Sequence, residues 1–175
     1  MEGAALIADA LGRVNGILHR SLKGAPAGML CRMPAPHANS MAWLAWHLTR
    51  VQDDHISDLA GLPELWASEG WRARFGMEPD DEETGQGHTF KQVAAFKVKS
   101  ARVLLAYQDA AFERSKAYLA KVRPADLDRV IDEPQYDPMP TVGVRLVSIV
   151  SDNTQHAGQV TYLRGLFERK RWGRA

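Results

Sequence analysis

Ile149-Val150-Ser151-Asp152-Asn153-Thr154-Gln155-His156-Ala157-Gly158-Gln159-Val160 is the stretch on which the reading of this chain turns. Ile149, Val160, Leu163 and Phe167 recur at helical spacing and mark an inward stripe, with Arg145 at its edge. Asp152 and His156 fall on that stripe, four residues apart on one face, with Cβ atoms roughly 6 Å from each other. A carboxylate turned toward an apolar core is costly unless it is paired or bound to a cation. A cation would satisfy Asp152 and orient His156 at the same time. The two side chains can also satisfy each other with a hydrogen bond.

Three further amphipathic segments precede this helix, which Thr141 is suited to cap. The first runs from about Ala4 to Lys23, with Ile7, Leu11, Val14, Leu18 and Leu22 at three- and four-residue steps. Gly24, Pro26, Gly28, Pro34 and Pro36 break it. The second begins at Asn39 or Ser40 and reaches Leu59 to Leu62, with Leu44, His47, Leu48, Val51 and His55 or Ile56 on or near its inward stripe. The third runs from Thr89 to about Val122 and turns Val93, Phe96, Val103, Leu104, Tyr107 and Ala111 inward, until Pro124 ends it. Residues 63–88 read as irregular. Residues 124–140 read as an extended crossover with a strand-like stretch at 127–131. The expectation is an all-α four-helix bundle, one domain over residues 1–175, with long connections between helices two and three and between three and four. The length of these connections leaves the helix order open.

Bulk properties narrow the function. The chain has 175 residues, 45% of them hydrophobic, enough for one sizeable core. Its 22 basic and 21 acidic residues give a net charge of +1, against a nucleic-acid partner, which would call for a strongly basic face. The basic tail Arg169 to Arg174 reads as a solvated helix end, and Trp172 within it is thin support for a partner surface. A single cysteine, Cys31, makes no internal disulfide and reads as an inert small side chain. No signal peptide or membrane span is expected, so the cytoplasm is the default.

His47 lies among Leu44, Leu48 and Val51, beside Trp43 and Trp46. On a helix facing Asp152 and His156 it would complete a three-ligand metal site with positions left for water or substrate. A lone histidine on an apolar face is also a common hydrogen-bonded core residue, and spacing alone does not bring His47 to the fourth helix. Asp80-Asp81-Glu82-Glu83 reads as a solvated loop, since it lacks the ligand spacing of a calcium loop. His19 is expected to be exposed, His37 and His88 to lie in loops at a pocket mouth, and Asp54 and His55 to be solvated. Gly158 is expected to allow close helix packing beside the site, and Gln159 to hold a water or a ligand.

Asn39-Ser40-Met41-Ala42-Trp43-Leu44-Ala45-Trp46-His47-Leu48, taken with Asp152 to Gln159, resembles the DinB-like superfamily. That group includes the metal-binding domain of mycothiol-dependent maleylpyruvate isomerase and the bacillithiol transferases. Its pattern is a histidine midway through the second helix and His-x-x-x-His-x-Gly-Gln, or Glu-x-x-x-His, on the fourth. The resemblance implies His47, Asp152 and His156 as ligands of a divalent ion: zinc or nickel, with iron also compatible with two imidazoles and a carboxylate. This chain departs from the pattern in having Asp152 where relatives have His or Glu. The resemblance implies an enzyme that transfers a low-molecular-weight thiol to a small electrophilic substrate, although no general base can be named. It ends soon after the fourth helix, whereas the isomerase carries a further domain, so maleylpyruvate isomerisation itself is not expected. The alternatives are metal-assisted hydrolysis, an iron oxygenase, and a non-catalytic metal-binding stress-response module, homodimeric through an exposed bundle face.

Overall fold

A computed structural model of the chain describes residues 2–77 and 83–169. Four long helices form the frame: α1 Gly3–Leu22, α3 Met41–Ala60, α7 Ala101–Leu119 and α8 Val142–Glu168. Short helices fill the connections: α2 Ala27–Leu30, α4 Leu65–Ser68, α5 Trp71–Phe75 and α6 Phe90–Ala95. No strand occurs among the described residues, so the all-α bundle expected from periodicity is what forms. Each of α1 and α3 packs on both α7 and α8, which puts α1 and α3 at opposite corners. The bundle is therefore not a simple up-and-down sequence of neighbours.

Caps set the helix starts. Ser40 Oγ accepts from Trp43 N at 3.2 Å and Thr141 Oγ1 from Val144 N at 3.3 Å, each cap worth about 1 kcal/mol. The expected third helix is instead two. Phe96 and Val98 are buried while Lys97 and Lys99 are exposed, a period-two alternation that keeps the backbone extended between α6 and α7. Ser100 then caps a fresh helix by accepting from Arg102 N at 3.3 Å. The crossover before α8 also differs from expectation. A 3-10 turn at Pro124–Asp128 takes the first two residues of the expected strand-like stretch, and the rest pairs only through the isolated bridge between Val130 and Thr141.

Two apolar clusters make the core, one around Leu18, Leu44, Trp46 and Leu104, the other around Leu11, Ile56, Leu146 and Ile149. A buried polar layer also joins the helices. Gln52 Oε1 accepts from Asn153 Nδ2 at 2.7 Å and from Gln108 Nε2 at 3.3 Å, while Gln52 Nε2 donates to Ser115 Oγ at 2.8 Å. Gln52, Gln108, Ser115 and Asn153 are fully buried, where an unpaired polar group is costly, so these bonds favour the register of α3, α7 and α8. Contacts between α3 and α8 pair Gln52 with Asn153 and His55 with Arg145, so the two helices run antiparallel.

Candidate metal centre

The register set by Gln52 and Asn153 brings Asp152 and His156 on α8 to His47 on α3. The deepest stripe of α8 runs through Leu146, Ile149, Asn153, Ala157 and Val160, and Asp152 and His156 stand on its flank, half-buried. His47 is buried. One ligand atom from each residue lies within 4.8 Å of the others. Asp152 Oδ1 is 3.4 Å from His156 Nε2 and 4.0 Å from His47 Nε2. Atoms bound about 2.1 Å from one ion stand roughly 3–4 Å apart, so the two Asp152 distances suit a shared cation.

The far side of each ring decides which nitrogen is free. His47 Nδ1 is 2.6 Å from the Thr84 carbonyl, which can only accept, so Nδ1 carries the proton and Nε2 keeps its lone pair. His156 Nδ1 donates in the same way to Gln159 Oε1 at 3.0 Å. Imidazoles held by their second nitrogen are typical of metal-ligating histidines. Asp152 Oδ2 is buried and has no hydrogen-bond partner. A donor set of two oriented imidazoles and a carboxylate with an unsatisfied oxygen fits a divalent ion.

Electrostatics divides the two rings. Burial pushes His47 below the ordinary histidine range, against the opposing Thr84 carbonyl and Asp152 charge. Burial acts the same way on His156, but the Asp152 carboxylate and the Gln159 amide oxygen together raise it. His47 is thus neutral and ready to ligate at neutral pH, whereas His156 holds its proton partly through Asp152.

The loop over His47 was legible only in part. Trp43, one turn before His47, stacks on its ring at 4.8 Å and 11°. Trp43 Nε1 also donates to His88 Nδ1 at 3.0 Å, and His88 Nε2 in turn donates to Glu83 at 3.0 Å. Glu83 therefore departs from the expected solvated loop; Asp80, Asp81 and Glu82 lie outside the described residues. Arg50 Nε donates to the Glu83 carbonyl at 2.8 Å, so a buried cation anchors the segment that orients His47. Nothing in the sequence marks Thr84, because its contribution is a backbone oxygen. His88 is held against Trp43, whereas His37 has φ 66° and packs on Phe90.

Other expectations need correction. Gly158 meets nothing within 4 Å of a Cβ built on it, so it allows no close packing. His55 is largely buried, where Arg145 donates to its Nε2 at 3.3 Å and Asp54 lies 3.6 Å from Nδ1. His19 is half-exposed and bonded to Asp109 at 2.7 Å. Residues 170–175, including Trp172, are outside the described part of the chain; Arg169 takes a left-handed conformation that ends α8. No helix among the described residues is long and apolar enough to cross a membrane.

A family model described as the DinB superfamily matches residues 10–160. The chain belongs to the DinB superfamily. This DinB chain is also 32% identical to a conserved protein from Enterococcus faecalis known from a crystal structure. The two superpose with a TM-score of 0.89 over 97% of this chain and 99% of the other. No curated protein matches the chain. The DinB resemblance seen in the residues around His47 and Asp152 is thus shown by the family match, together with the bundle it implies.

Proposed function

We propose that His47, Asp152 and His156 hold one divalent ion, zinc or nickel foremost and iron as a further candidate, and that this centre serves transfer of a low-molecular-weight thiol to a small electrophile. The observation that carries the metal reading is the pair of carbonyl oxygens that hold the two rings on their far sides. Both Nδ1 atoms lie against carbonyl acceptors, so each Nε2 is the nitrogen left facing Asp152 and able to ligate once it carries no proton. Three protein ligands leave further positions for a small molecule. Family membership supports the thiol chemistry.

A bound divalent ion would supply the positive charge that favours the thiolate form of a thiol at those positions. The residues of the chain supply the rest. His47, fixed by Thr84 and stacked on Trp43, keeps its ring in place through the reaction. Gln159 holds the His156 proton on Nδ1 and so keeps Nε2 directed at the centre. Sulfur would bond to the electrophilic carbon as the leaving group departs with the bonding pair, and the thiol proton passes to solvent.

Metal analysis of untagged protein tests the first step. Wild type is expected to carry about one ion per chain, and His47→Ala and His156→Ala to lose it; equal content in all three refutes the centre. The second step is tested by incubating metal-loaded protein with an aryl halide and a panel of thiols that includes mycothiol and bacillithiol. Metal-dependent conjugation is expected. Ester turnover without thiol supports metal-assisted hydrolysis instead, and a large loss of thermal stability on chelation with no turnover supports a binding module.

A further inference from the structure

One turn beyond the three candidate ligands along α3 and α8 lies a cavity whose lining includes none of the three. One turn before His47 stands Leu44, and one and two turns after His156 stand Gln159 and Leu163. These three residues help line a cavity of about 370 Å³. Its remaining lining includes three rings, His37, Phe90 and Tyr162. The His37 and Phe90 ring centres are 4.3 Å apart at 60°. Phe90 is 51% and Tyr162 69% exposed, among the largest apolar surfaces that the described residues leave in water. Gln159 belongs to both places, since it lines the cavity and its Oε1 accepts from His156 Nδ1.

Isolated exposed rings are ordinary, but rings that line one cavity near a polar centre have the character of a small-molecule site. Aromatic pairs favour offset or edge-on packing with centres roughly 4.5–7 Å apart, a geometry that half-exposed rings leave available to one more ring. The volume lies at the low end of the roughly 300–1,000 Å³ typical of ligand sites. It suits one ring with a short arm better than a nucleotide.

We infer that this cavity takes the aromatic ring of a small molecule whose metal-ligating head occupies the His47–Asp152–His156 centre. The inference rests on the metal reading above and does not need the thiol reading. Leu44 and Leu163 supply the apolar floor, and Phe90, Tyr162 and His37 pack on the ring. Phe90 and Tyr162 are thereby specificity residues, outside the set of candidate ligands.

Cobalt(II)-loaded protein, titrated by its visible absorption, tests this with two matched pairs of probes. One pair is acetohydroxamate and benzohydroxamate; the other is ethanethiol and phenylmethanethiol. The aryl member is expected to bind at least about tenfold tighter, a difference of about 1.4 kcal/mol. In a Phe90→Ala, Tyr162→Ala double variant that preference is expected to fall below about twofold. Cobalt content and affinity for the alkyl members should stay unchanged, and because both side chains are exposed the variant is expected to fold, as a thermal melt will show. Equal aryl and alkyl affinities in the hydroxamate pair, or a preference that survives in the variant, overturn the inference. A spectrum that responds to hydroxamates but not to thiols sinks the thiol-transfer reading, and the aryl inference then stands or falls on the hydroxamate pair. Protein that takes up no cobalt overturns the inference together with the metal reading.

Discussion

Gly85 has φ +86°, and a Cβ built on it would stand 2.7 Å from Trp46 and 3.0 Å from Trp43. Only glycine holds that turn while the loop lies flat on the two indoles. Gly85→Ala is expected to cost about 1–3 kcal/mol in urea unfolding and to weaken cation binding, since the neighbouring Thr84 carbonyl must shift away from His47. Unchanged stability and affinity would show that the loop adjusts freely. His55 gives a pH signature that can be separated from the centre. Burial, then the nearby Arg145 charge, lowers its affinity for a proton, and Asp54, Glu133 and Asp58 oppose this. The unfolded chain therefore binds the proton first as pH falls, so stability drops below the ordinary histidine value of about 6.5. His55→Gln is expected to flatten the fall in chelated protein between pH 7 and 5.5, by less than the one-proton limit of about 1.4 kcal/mol per pH unit. Identical slopes would exclude that role. At this scale much was legible: His47, Asp152 and His156 stand out as polar residues on apolar helical stripes. What holds them was harder to see, since a backbone oxygen and a glycine torsion leave no periodic mark.

Asp53 shows how the elements are tied together. Its buried carboxylate accepts from Leu65 N at 3.0 Å and Trp66 N at 2.9 Å, which starts α4, and from the Tyr107 hydroxyl at 2.7 Å on α7. Arg50, one turn earlier on α3, lies 3.5 Å from it and also pairs with Glu64 at 2.6 Å. Burial first, and then the Asp53 charge, raises Tyr107 well above the ordinary tyrosine value, so it donates throughout the working pH range. Asp53→Ala removes one of the partners of Arg50 and the acceptor of Leu65 N, Trp66 N and the Tyr107 hydroxyl, and is expected to cost about 3–5 kcal/mol in urea unfolding. A loss below about 1 kcal/mol would mean that the other partners of Arg50, Glu64 and the Glu83 carbonyl among them, suffice. Helix periodicity revealed α1, α3 and α8 to within a residue or two, because each carries a continuous stripe and a capping residue or helix breaker. It merged α6 with α7, since Val93, Phe96 and Val103 keep near-helical spacing across an extended segment. The alternation of Phe96 and Val98 with Lys97 and Lys99 is the cue that separates them.

Across the whole molecule, the centre joins two antiparallel helices, α3 and α8, through residues far apart in sequence. A cation bound there stabilises the folded chain alone, by about 2.7 kcal/mol when free metal exceeds Kd a hundredfold. Chelation is therefore expected to lower Tm by roughly 5–10 °C for a chain of this size, with recovery on adding zinc back. Calorimetry showing one Tm in both conditions would count against a bound ion. The polar layer of Gln52, Gln108 and Asn153 was not read from the sequence, yet it sets the register on which the centre depends. The wide separation of the ligands also bears on biosynthesis. Over a hundred residues lie between His47 and Asp152, which at about 5–20 residues per second is roughly 5–20 s of translation. During that interval the nascent chain holds His47 but neither Asp152 nor His156, so any ion held by all three would be loaded late in maturation.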